Sequence, residues 1–494
     1  MAATAKQIVT IGILALFLFG SSVSAKHLQG LLYTVWADSR FGDQHEGVGY
    51  YLLSDDQLRY QLSIPDDTAL ASELPALRSF SGNRVNVTVS EESWQAAQQR
   101  RGESSLPTIA VHSIEMIDAQ INHSKKSVRP SSKRSFRPLA PSSVEGSKRY
   151  VSLLCKFNDV PAEPQPIAYF NEMYGDAPGQ LGHYWREVSS EKINLVGSQS
   201  YGGASGDSGW FTMPKPRSSY LVGNGADLDL LFQDCVTAAD PFVDFSSVDG
   251  INLMFNGELG CCAWGGGFGA TLDGVTRVFP TTWEPDWAWS NVAVLAHEMG
   301  HSFNLPHSNN SDGDNDPYDS PWTVMSFAFG GFTDPVYGLK GVHINAWEKN
   351  DLGWIAPFEY YTVSNNGRSR QIKLSYLSRA KATNGAFRMA VFSTSANYYY
   401  TVEARKRSGP YEAVVDSAVV IHSVNEKRLE PSWVVDKNDP PADFANTEGV
   451  MWRVGETFTD SDLGVSVKVV SQDRLQTFYE PVLLPRYEPA QCFA

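Results

Sequence analysis

The sequence is poor in positive charge, poor in cysteine and, beyond its first residues, free of long apolar runs. Lys and Arg number 40 against 55 Asp and Glu, for a formal net charge of −15 at pH 7. An acidic chain lacks the basic surface that binds phosphate backbones, so we expect no nucleic-acid partner. A membrane-spanning helix needs about 20 apolar residues. Because no run after residue 19 approaches that length, the sequence predicts no stable membrane span after signal cleavage.

Cysteine is scarce as well, with five residues: Cys155, Cys235, Cys261, Cys262 and Cys492. In an oxidising compartment this number predicts two disulfides and one spare thiol. A bond between adjacent cysteines is strained, so we expect Cys261 and Cys262 to pair elsewhere, one of them with Cys235. The spacing does not fit a zinc ribbon.

The first residues have the pattern of a secretory signal peptide. Lys6 gives a positive start, residues 8–19 form an apolar run, and Ala25 ends a small-residue cleavage site. We therefore predict that residues 1–25 are removed and that the protein is secreted. Sequons for N-glycosylation agree with an extracellular location; they lie at Asn86, Asn122 and Asn309.

The length of the chain predicts several domains, because 494 residues exceed one ordinary core. Residues 26–122 alternate short β-type runs with turns and predict an all-β module that could close into a barrel. Residues 150–356 combine buried strands and amphipathic helices, which indicates an α/β (α+β) domain. Residues 357–494 return to strands typical of a β-sandwich. The predicted fold class is multi-domain, with the α/β domain between two β-rich ones.

Residues 123–149 are rich in Ser, Pro and basic side chains, with eight Lys or Arg against one acid, Glu145. This composition cannot bury a core and predicts an exposed linker. The Lys-Arg pairs at 133–134 and 148–149 leave a second interpretation open. In that interpretation the N-terminal module, residues 26–122, is a propeptide, and the segment 123–149 is where it is cut from the enzyme.

The strongest candidate for a metal-binding or catalytic site is the motif H-E-x-x-H, formed by His297, Glu298 and His301. His307 follows six residues later. On a helix, His297 and His301 lie one turn apart and can share a metal ion. Catalytic zinc takes three protein ligands and keeps a fourth position for water. The sequence therefore predicts one catalytic Zn2+ held by the three histidines. Glu298 would act as the general base toward the attacking water.

The surrounding pattern predicts how these ligands are positioned. Apolar residues at helical spacing favour a helix that begins at Asn291, with Ser290 as its N-cap. After this helix the chain must turn sharply, because His307 has to return to the same metal ion.

Three neighbouring stretches could contribute to the site. Residues 257–274 are dense in glycine and predict either a flexible surface loop or part of the rim of a substrate cleft. Residues 275–280 are a candidate edge strand that could pair with an extended peptide. The acidic stretch after His307 predicts a solvated loop, with Ca2+ binding as the alternative; its carboxylates include Asp312, Asp314 and Asp316.

The motif H-E-x-x-H-x-x-x-x-x-H, with Met325 eighteen residues beyond His307, resembles the metzincin clan of zinc endopeptidases. The stretches 153–159, 184–195 and 319–322 resemble the gametolysin type and, more distantly, the immune inhibitor A type. The resemblance covers about residues 150–355. It implies a metzincin-like protease domain in which Met325 forms the methionine turn beneath the metal. It also implies extracellular protein or glycoprotein substrates, as in the extracellular matrix or a cell wall.

The chain departs from the clan pattern at two positions. Asn304 stands where the clan has a glycine that ends the helix in a left-handed conformation, and Asn is the side chain most tolerant of it. Phe327 stands where some members carry a tyrosine that holds the oxyanion, which leaves that role open. The stretch 26–149 contains no cysteine, so a thiolate there cannot cap the zinc. An inhibitory N-terminal module would have to cover the cleft or offer another ligand, such as a carboxylate.

The sequence thus predicts a secreted zinc metalloendopeptidase. The main alternative is a non-catalytic binding or adhesion protein that keeps a structural metal on a protease-like fold. Glu298 favours the enzyme, because a purely structural site needs no general base. A zinc hydrolase acting on a non-peptide bond is a third class.

Overall fold

The structure, a computed structural model, describes the following residues: 25–40, 47–65, 77–100, 106–117, 143–312, 314, 316–326, 332–363, 369–395, 397–412, 414, 416–438, 441, 447–472 and 477–483. The predicted signal peptide up to residue 24 and most of the basic linker lie outside these residues. Asn122, Phe327 and Cys492 lie outside them as well.

The N-terminal module forms a small closed barrel, as its strand pattern predicts. The pairing runs β1, β2, β3, β5, β4 and back to β1. Val85, Val87 and Val89 alternate with more exposed residues and point into the barrel core. The module is not all-β, because helix α1 (Glu91–Gln99) lies between β4 and β5. The strands are β1 (Ala25–Ser39), β2 (Gly47–Ser54), β3 (Arg59–Ser63), β4 (Arg84–Ser90) and β5 (Thr108–Met116), with a 3-10 turn at Arg78–Phe80.

The central part of the chain mixes strands and helices. Its strands are β6 (Gly146–Ser147), β7 (Tyr150–Lys156), β8 (Ile193–Asn194), β9 (Gln199–Tyr201), β10 (Phe211–Thr212), β11 (Leu221–Val222), β12 (Gly225–Ala226), β13 (Gly250–Phe255), β14 (Cys262–Leu272), β15 (Val275–Glu284), β16 (Asn309–Asn310), β17 (Thr333–Asp334) and β18 (Gly338–Leu339). Its helices are α2 (Ile167–Met173), α3 (Leu181–Val188), α4 (Leu228–Ala239), α5 (Asp286–Trp289), α6 (Val292–Ser302) and α7 (Ala346–Asp351), with 3-10 turns at Arg217–Tyr220 and Phe245–Ser247.

One sheet joins the central part to the barrel. Within the described residues it has eleven strands, and its main path runs β10, β7, β13, β15, β14, β1, β2, β3, β5 and β4. β7, β13 and β15 are parallel, and β14 is antiparallel to β15. Every residue of β13 is buried, as expected of a strand covered on both faces. Strand β1 belongs to the barrel and also continues this sheet beyond β14.

Of two expectations about the sheet, the flexible loop was wrong and the edge strand agrees with the strand pairing. The glycine-dense stretch is not a flexible loop, because β14 occupies most of it and is buried over most of its length. The candidate edge strand at 275–280 is the first part of β15: among the described residues it pairs with β14 alone, and β13 pairs only with residues 281–284. The strand that would form the edge of the central sheet is β14, and β1 covers it.

The C-terminal part consists of two facing sheets, in agreement with the predicted β-sandwich. Val402 and Ile421 of one sheet share a core with Val465 and Val467 of the other. The paths are β16, β24, β23, β22, β21, β19 and β20, β27, β26, β25. The strands are β19 (Tyr360–Val363), β20 (Ile372–Leu374), β21 (Met389–Ser393), β22 (Tyr398–Arg405), β23 (Ala418–Asn425), β24 (Ser432–Val434), β25 (Thr457–Asp460), β26 (Val465–Gln472) and β27 (Thr477–Leu483), with a 3-10 turn at Thr447–Val450.

The disulfide pairing corrects the prediction. Cys155 is bonded to Cys235, and the adjacent residues Cys261 and Cys262 are bonded to each other. The expectation that adjacent cysteines avoid one another was therefore wrong. The number of disulfides agrees with the predicted two among the described cysteines.

The sequons differ in exposure. Asn309 is buried, and its side-chain amide donates to the Glu430 carboxylate at 3.1 Å. A glycan at Asn309 is incompatible with this packing, whereas Asn86 is partly exposed and remains a candidate. Among the described residues, no helix is both long and apolar enough to span a membrane.

Candidate metal centre

Helix α6 carries the first two histidines and the glutamate. It begins at Val292 with Asn291 as its N-cap, one residue later than predicted. Ser290 instead ends helix α5, where its hydroxyl donates to the Trp287 carbonyl at 3.0 Å. The first ten residues of α6 are buried, so its histidines face protein rather than solvent.

The turn after α6 depends on Asn304. Its φ of 72° lies in the left-handed region, as expected from its place in the motif. The Leu305 amide then donates back to the Gly300 carbonyl at 3.0 Å, which closes the end of the helix. The next residues reverse direction and bring His307 beside the helix.

The three imidazoles converge through their Nε2 atoms. Nδ1 of His297 donates to the Val324 carbonyl at 2.5 Å, and Nδ1 of His301 donates to the Leu305 carbonyl at 2.7 Å. These bonds orient both rings so that their Nε2 atoms lie 3.0 Å apart. The His307 ring lies 5.3 Å from the His297 ring and 4.7 Å from the His301 ring, measured between centroids.

A fourth group, Asp38 of strand β1, completes the cluster. Its Oδ1 lies 2.6 Å from Nε2 of His307 and 3.1 Å from Nε2 of His297. Its Oδ2 lies 3.3 Å from Nε2 of His301. All four side chains are buried, and their ligand atoms lie within 4.8 Å of one another. The structure therefore contains a buried Asp-His-His-His group that could bind a metal ion.

The donor set fits a divalent cation. Because Nδ1 of His297 and of His301 donates to a carbonyl, the neutral form of each ring points its Nε2 lone pair at the other ring and at a carboxylate. One proton could satisfy two of these groups, whereas one metal ion satisfies all of them. Three imidazole nitrogens and one carboxylate oxygen are ligand types that suit Zn2+.

Burial and charge set the protonation of these groups. Burial lowers the pKa of His307 to about 3 and also lowers the pKa of His301, so both lone pairs are available at neutral pH. For His297 the attraction of Asp38 outweighs burial and raises the pKa. Burial alone would raise the pKa of the Asp38 carboxyl, but the three imidazoles outweigh it and hold that pKa well below its usual range.

The predicted base, Glu298, and the predicted methionine, Met325, are both fully buried. Glu298 is fully buried, and burial together with repulsion from Asp38 and Glu284 raises its pKa well above the usual range. Met325 is buried under the helix at Gly300, where an added Cβ would lie 2.3 Å from the methionine sulfur. The glycine between the two helical histidines thus leaves room for the methionine.

Three further residues lie at the centre without any motif that predicts them. The Trp36 ring stacks on the His301 ring with centroids 5.1 Å apart, and Tyr318 donates its hydroxyl to Asp38 at 2.8 Å. Glu430 of the C-terminal part lies 3.8 Å from Nδ1 of His307. No motif marks Trp36, Tyr318 or Glu430, because each reaches the centre through tertiary contacts.

The acidic loop after His307 forms a separate carboxylate group. Asp312, Asp314 and Asp319 bring ligand oxygens within 4.8 Å of one another, whereas the predicted set had Asp316 in place of Asp319. Asp319 is 3% exposed, and neither of its oxygens has a hydrogen-bond partner among the described residues. Burial, with repulsion from the neighbouring aspartates, raises its pKa to about 8.

Comparison with known proteins does not assign the chain to a family. No family model and no curated protein match the chain. Wild-type OgpA from Akkermansia muciniphila, in a P 41 21 2 crystal form, is similar at 12% identity and a TM-score of 0.26, over 61% of this chain and 89% of that one. Its P 21 21 21 form is similar at 11% identity and a TM-score of 0.22, over 74% and 96%. These TM-scores are too low to establish a family or a function.

Proposed function

We propose that this protein is a secreted zinc-dependent endopeptidase that hydrolyses peptide bonds of extracellular proteins or glycoproteins. The observation that carries the proposal is the convergence of three Nε2 lone pairs beside the buried carboxyl of Glu298. Zinc would be held by His297, His301 and His307. The Met325 side chain packed against Gly300 of α6 supports a metzincin-like catalytic domain, and the resemblance of the sequence supports the gametolysin type.

The chemistry divides between the metal and the chain. A zinc ion at this position would polarise the scissile carbonyl and lower the pKa of water. Glu298 takes a proton from the water as its oxygen bonds to the carbonyl carbon, and gives that proton to the leaving amine as the C–N bond breaks. Water and one amide are consumed, and one carboxylic acid and one amine are formed.

One observation favours a non-catalytic alternative. Asp38 gives the centre four protein ligands, and a closed set of four is the usual arrangement of a structural zinc site. In that case the protein would be a binding or adhesion protein that uses the metal for stability. Glu298 would then have no chemical role despite its buried position beside the ligands.

The two functions are separated by zinc analysis combined with a peptide-library digest of the secreted protein. The digest should also be run with processed protein, in which the chain has been cut within residues 123–149 and the N-terminal part removed. Cleavage that is lost in Glu298→Ala, with about one zinc per chain in both proteins, supports the enzyme. A zinc-loaded, processed chain that cleaves no peptide would overturn it.

We also propose that Asp312, Asp314 and Asp319 bind Ca2+. The observation that carries this proposal is the buried Asp319 carboxyl, which lacks a hydrogen-bond partner among the described residues and faces two other carboxylates. Oxygen ligands of this kind suit calcium.

The calcium site is tested by calorimetric titration of chelator-treated protein with CaCl2. Asp319→Asn should weaken binding at least about tenfold, whereas Asp316→Asn removes the same charge from the loop and should leave binding within about threefold. Equal losses in both variants would indicate diffuse attraction to the loop. Equal losses, or no heat with the wild type, would overturn the site.

A further inference from the structure

We infer that strand β1 is an inhibitory segment: it places the Asp38 carboxylate among the three imidazoles and its own backbone along β14. The inference rests on the proposed endopeptidase function and adds its regulation. Residues 26–122, which include β1, would then be a propeptide held over the site until it is released.

The first support is the position of the Asp38 carboxylate. Its two oxygens contact the Nε2 atoms of all three histidines, at 2.6 to 3.3 Å. A catalytic zinc site keeps its fourth position for water or for the substrate carbonyl. Asp38 occupies the place where those reacting oxygens would have to lie. Since a carboxylate is a strong zinc ligand, the centre is closed while β1 stays in place.

The second support is the pairing of β1 with β14. Trp36 lies opposite Gly265, and Asp38 lies opposite Ala263 in an antiparallel register. An added Cβ at Gly266 would lie 2.2 Å from the Thr34 carbonyl oxygen, so the glycine permits the close approach of β1. Without β1, the backbone groups of β14 would form a free edge of the kind that binds extended peptides. The segment therefore blocks a strand edge as well as the metal.

The third support is burial of the centre. His297, His301 and His307 are each at most 2% exposed, and Trp36 covers them by stacking on His301. A substrate carbonyl cannot reach buried imidazoles without movement of β1. In the sequence, residues 26–149 hold no cysteine, and Asp38 supplies a carboxylate in place of a thiolate. The basic segment 123–149 follows the barrel, so a cut there would separate β1 from the catalytic part of the chain.

The test uses full-length protein loaded with Co2+, whose visible absorption reports its ligands, and acetohydroxamic acid as a probe for an open coordination position. The variants are Asp38→Asn, which keeps the size of the side chain, and Asp38→Ala. Glu115→Ala removes an exposed carboxylate from the same barrel and serves as the control. Acetohydroxamate should leave the spectra of the wild type and the control unchanged. It should change the spectra of both Asp38 variants, with at least about tenfold tighter binding.

A wild type that binds acetohydroxamate as tightly as Asp38→Asn would overturn the inference. If Asp38→Ala does not fold, Asp38→Asn and amide exchange in β14 decide, because residues 262–266, which pair with β1, should exchange faster once β1 is released. This readout does not depend on peptide cleavage. If the probe distinguishes the variants but no released form cleaves a peptide, the proposed function fails while the closure of the site stands.

The same geometry assigns a catalytic role to Tyr318. Its hydroxyl donates to Asp38 Oδ1 at 2.8 Å, and its ring lies 5.4 Å from the His307 ring. Because Asp38 stands where the reacting oxygens would lie, the Tyr318 hydroxyl is positioned to donate to the oxyanion once β1 is released. This assignment also rests on the proposed function. It gives the oxyanion-binding role to Tyr318 rather than to position 327, where some members of the clan carry their tyrosine.

Released enzyme carrying Tyr318→Phe should have a kcat lowered about 100-fold, with KM and zinc content nearly unchanged. Tyr169→Phe, which removes a hydroxyl donor from the core away from the centre, should leave kcat unchanged. An unchanged kcat in Tyr318→Phe, or a loss that appears only in KM, would overturn the role.

Discussion

Arg78 and Asn304 are hydrogen-bonded to each other, although 226 residues of sequence separate them. The Asn304 amide donates to the Arg78 carbonyl at 3.1 Å, and the Arg78 guanidinium donates to the Asn304 carbonyl at 3.3 Å. Arg78 also forms an ion pair with Asp351 at 2.6 Å. The barrel thus contacts the residue on which the turn toward His307 depends.

We expect Asn304→Ala to destabilise the zinc-loaded chain by about 1–2 kcal/mol. The side chain would be strained at a φ of 72°, and the hydrogen bond to Arg78 would be lost. Asn304→Gly removes the strain and loses only the hydrogen bond, so it should cost about half as much. Thermal melting at saturating zinc compares them. A glycine variant less stable than the alanine variant would contradict the role of the positive φ.

The contact between Gly300 and Met325 predicts a coupled pair of substitutions. Gly300→Ala places a Cβ 2.3 Å from the Met325 sulfur, so we expect a loss of about 1–3 kcal/mol from overpacking. Met325→Ala removes the obstructing atom and leaves a cavity. The double variant should therefore cost less than the sum of the two single losses, as measured by a double-mutant cycle. Additive losses would show that the two residues do not interact.

Removal of a predicted ligand should release the metal. His301→Ala deletes one of the converging imidazoles, and we expect metal content after dialysis to fall from about one zinc per chain to near zero. His183→Ala is the matched control, because that histidine contacts the Tyr411 hydroxyl at 2.8 Å and lies outside the cluster. Elemental analysis measures both. Equal zinc in the two variants would contradict the ligand assignment.

His422 predicts a pH dependence of stability in the C-terminal part. Burial, with repulsion from Arg405, lowers its pKa to about 3 from its ordinary 6.5, and neither ring nitrogen has a hydrogen-bond partner among the described residues. Between these values the unfolded chain binds a proton that the folded chain rejects. Stability is therefore lost as pH falls from about 6.5 toward 3, by up to about 5 kcal/mol from this one group.

His422→Leu should flatten that part of the stability profile relative to the wild type. The metal ligands titrate in both proteins, so the difference between the two curves isolates His422. His112→Leu, at an exposed position, is the control and should follow the wild type. Denaturant melts from pH 3 to 7 give the curves, and parallel curves for the His422 variant and the wild type would refute the prediction.

Local patterns in the sequence predicted much of the fold. Alternation identified the barrel strands, and helical spacing identified α6 to within one residue of its start. The glycine position filled by Asn304 predicted a positive φ, which the structure confirms. These predictions agree with the structure because each feature depends on residues only a few positions apart, where backbone geometry and side-chain spacing are coupled.

Patterns failed where the outcome depends on distant partners. The glycine-dense stretch reads as a loop, yet β14 is a strand because β15 and β1 pair with it on both sides. The acidic loop alternates carboxylates evenly, and only its folding selects Asp319 over Asp316 as a member of the cluster. The pairing of cysteines likewise depends on distant contacts, because the fold brings Cys155 to Cys235 over 80 residues, and Cys261 is bonded to Cys262.

By itself the sequence determined the candidate ligands, because the spacing of His297 and His301 is set by one turn of a helix and His307 follows a short turn. Only the tertiary structure decided which side chain lies opposite the three histidines. Asp38 lies 259 residues from His297 and carries no motif, so its place at the metal centre arises from the pairing of β1 with β14. Strand pairing over such distances is set by the packing of whole sheets, and no local pattern records it.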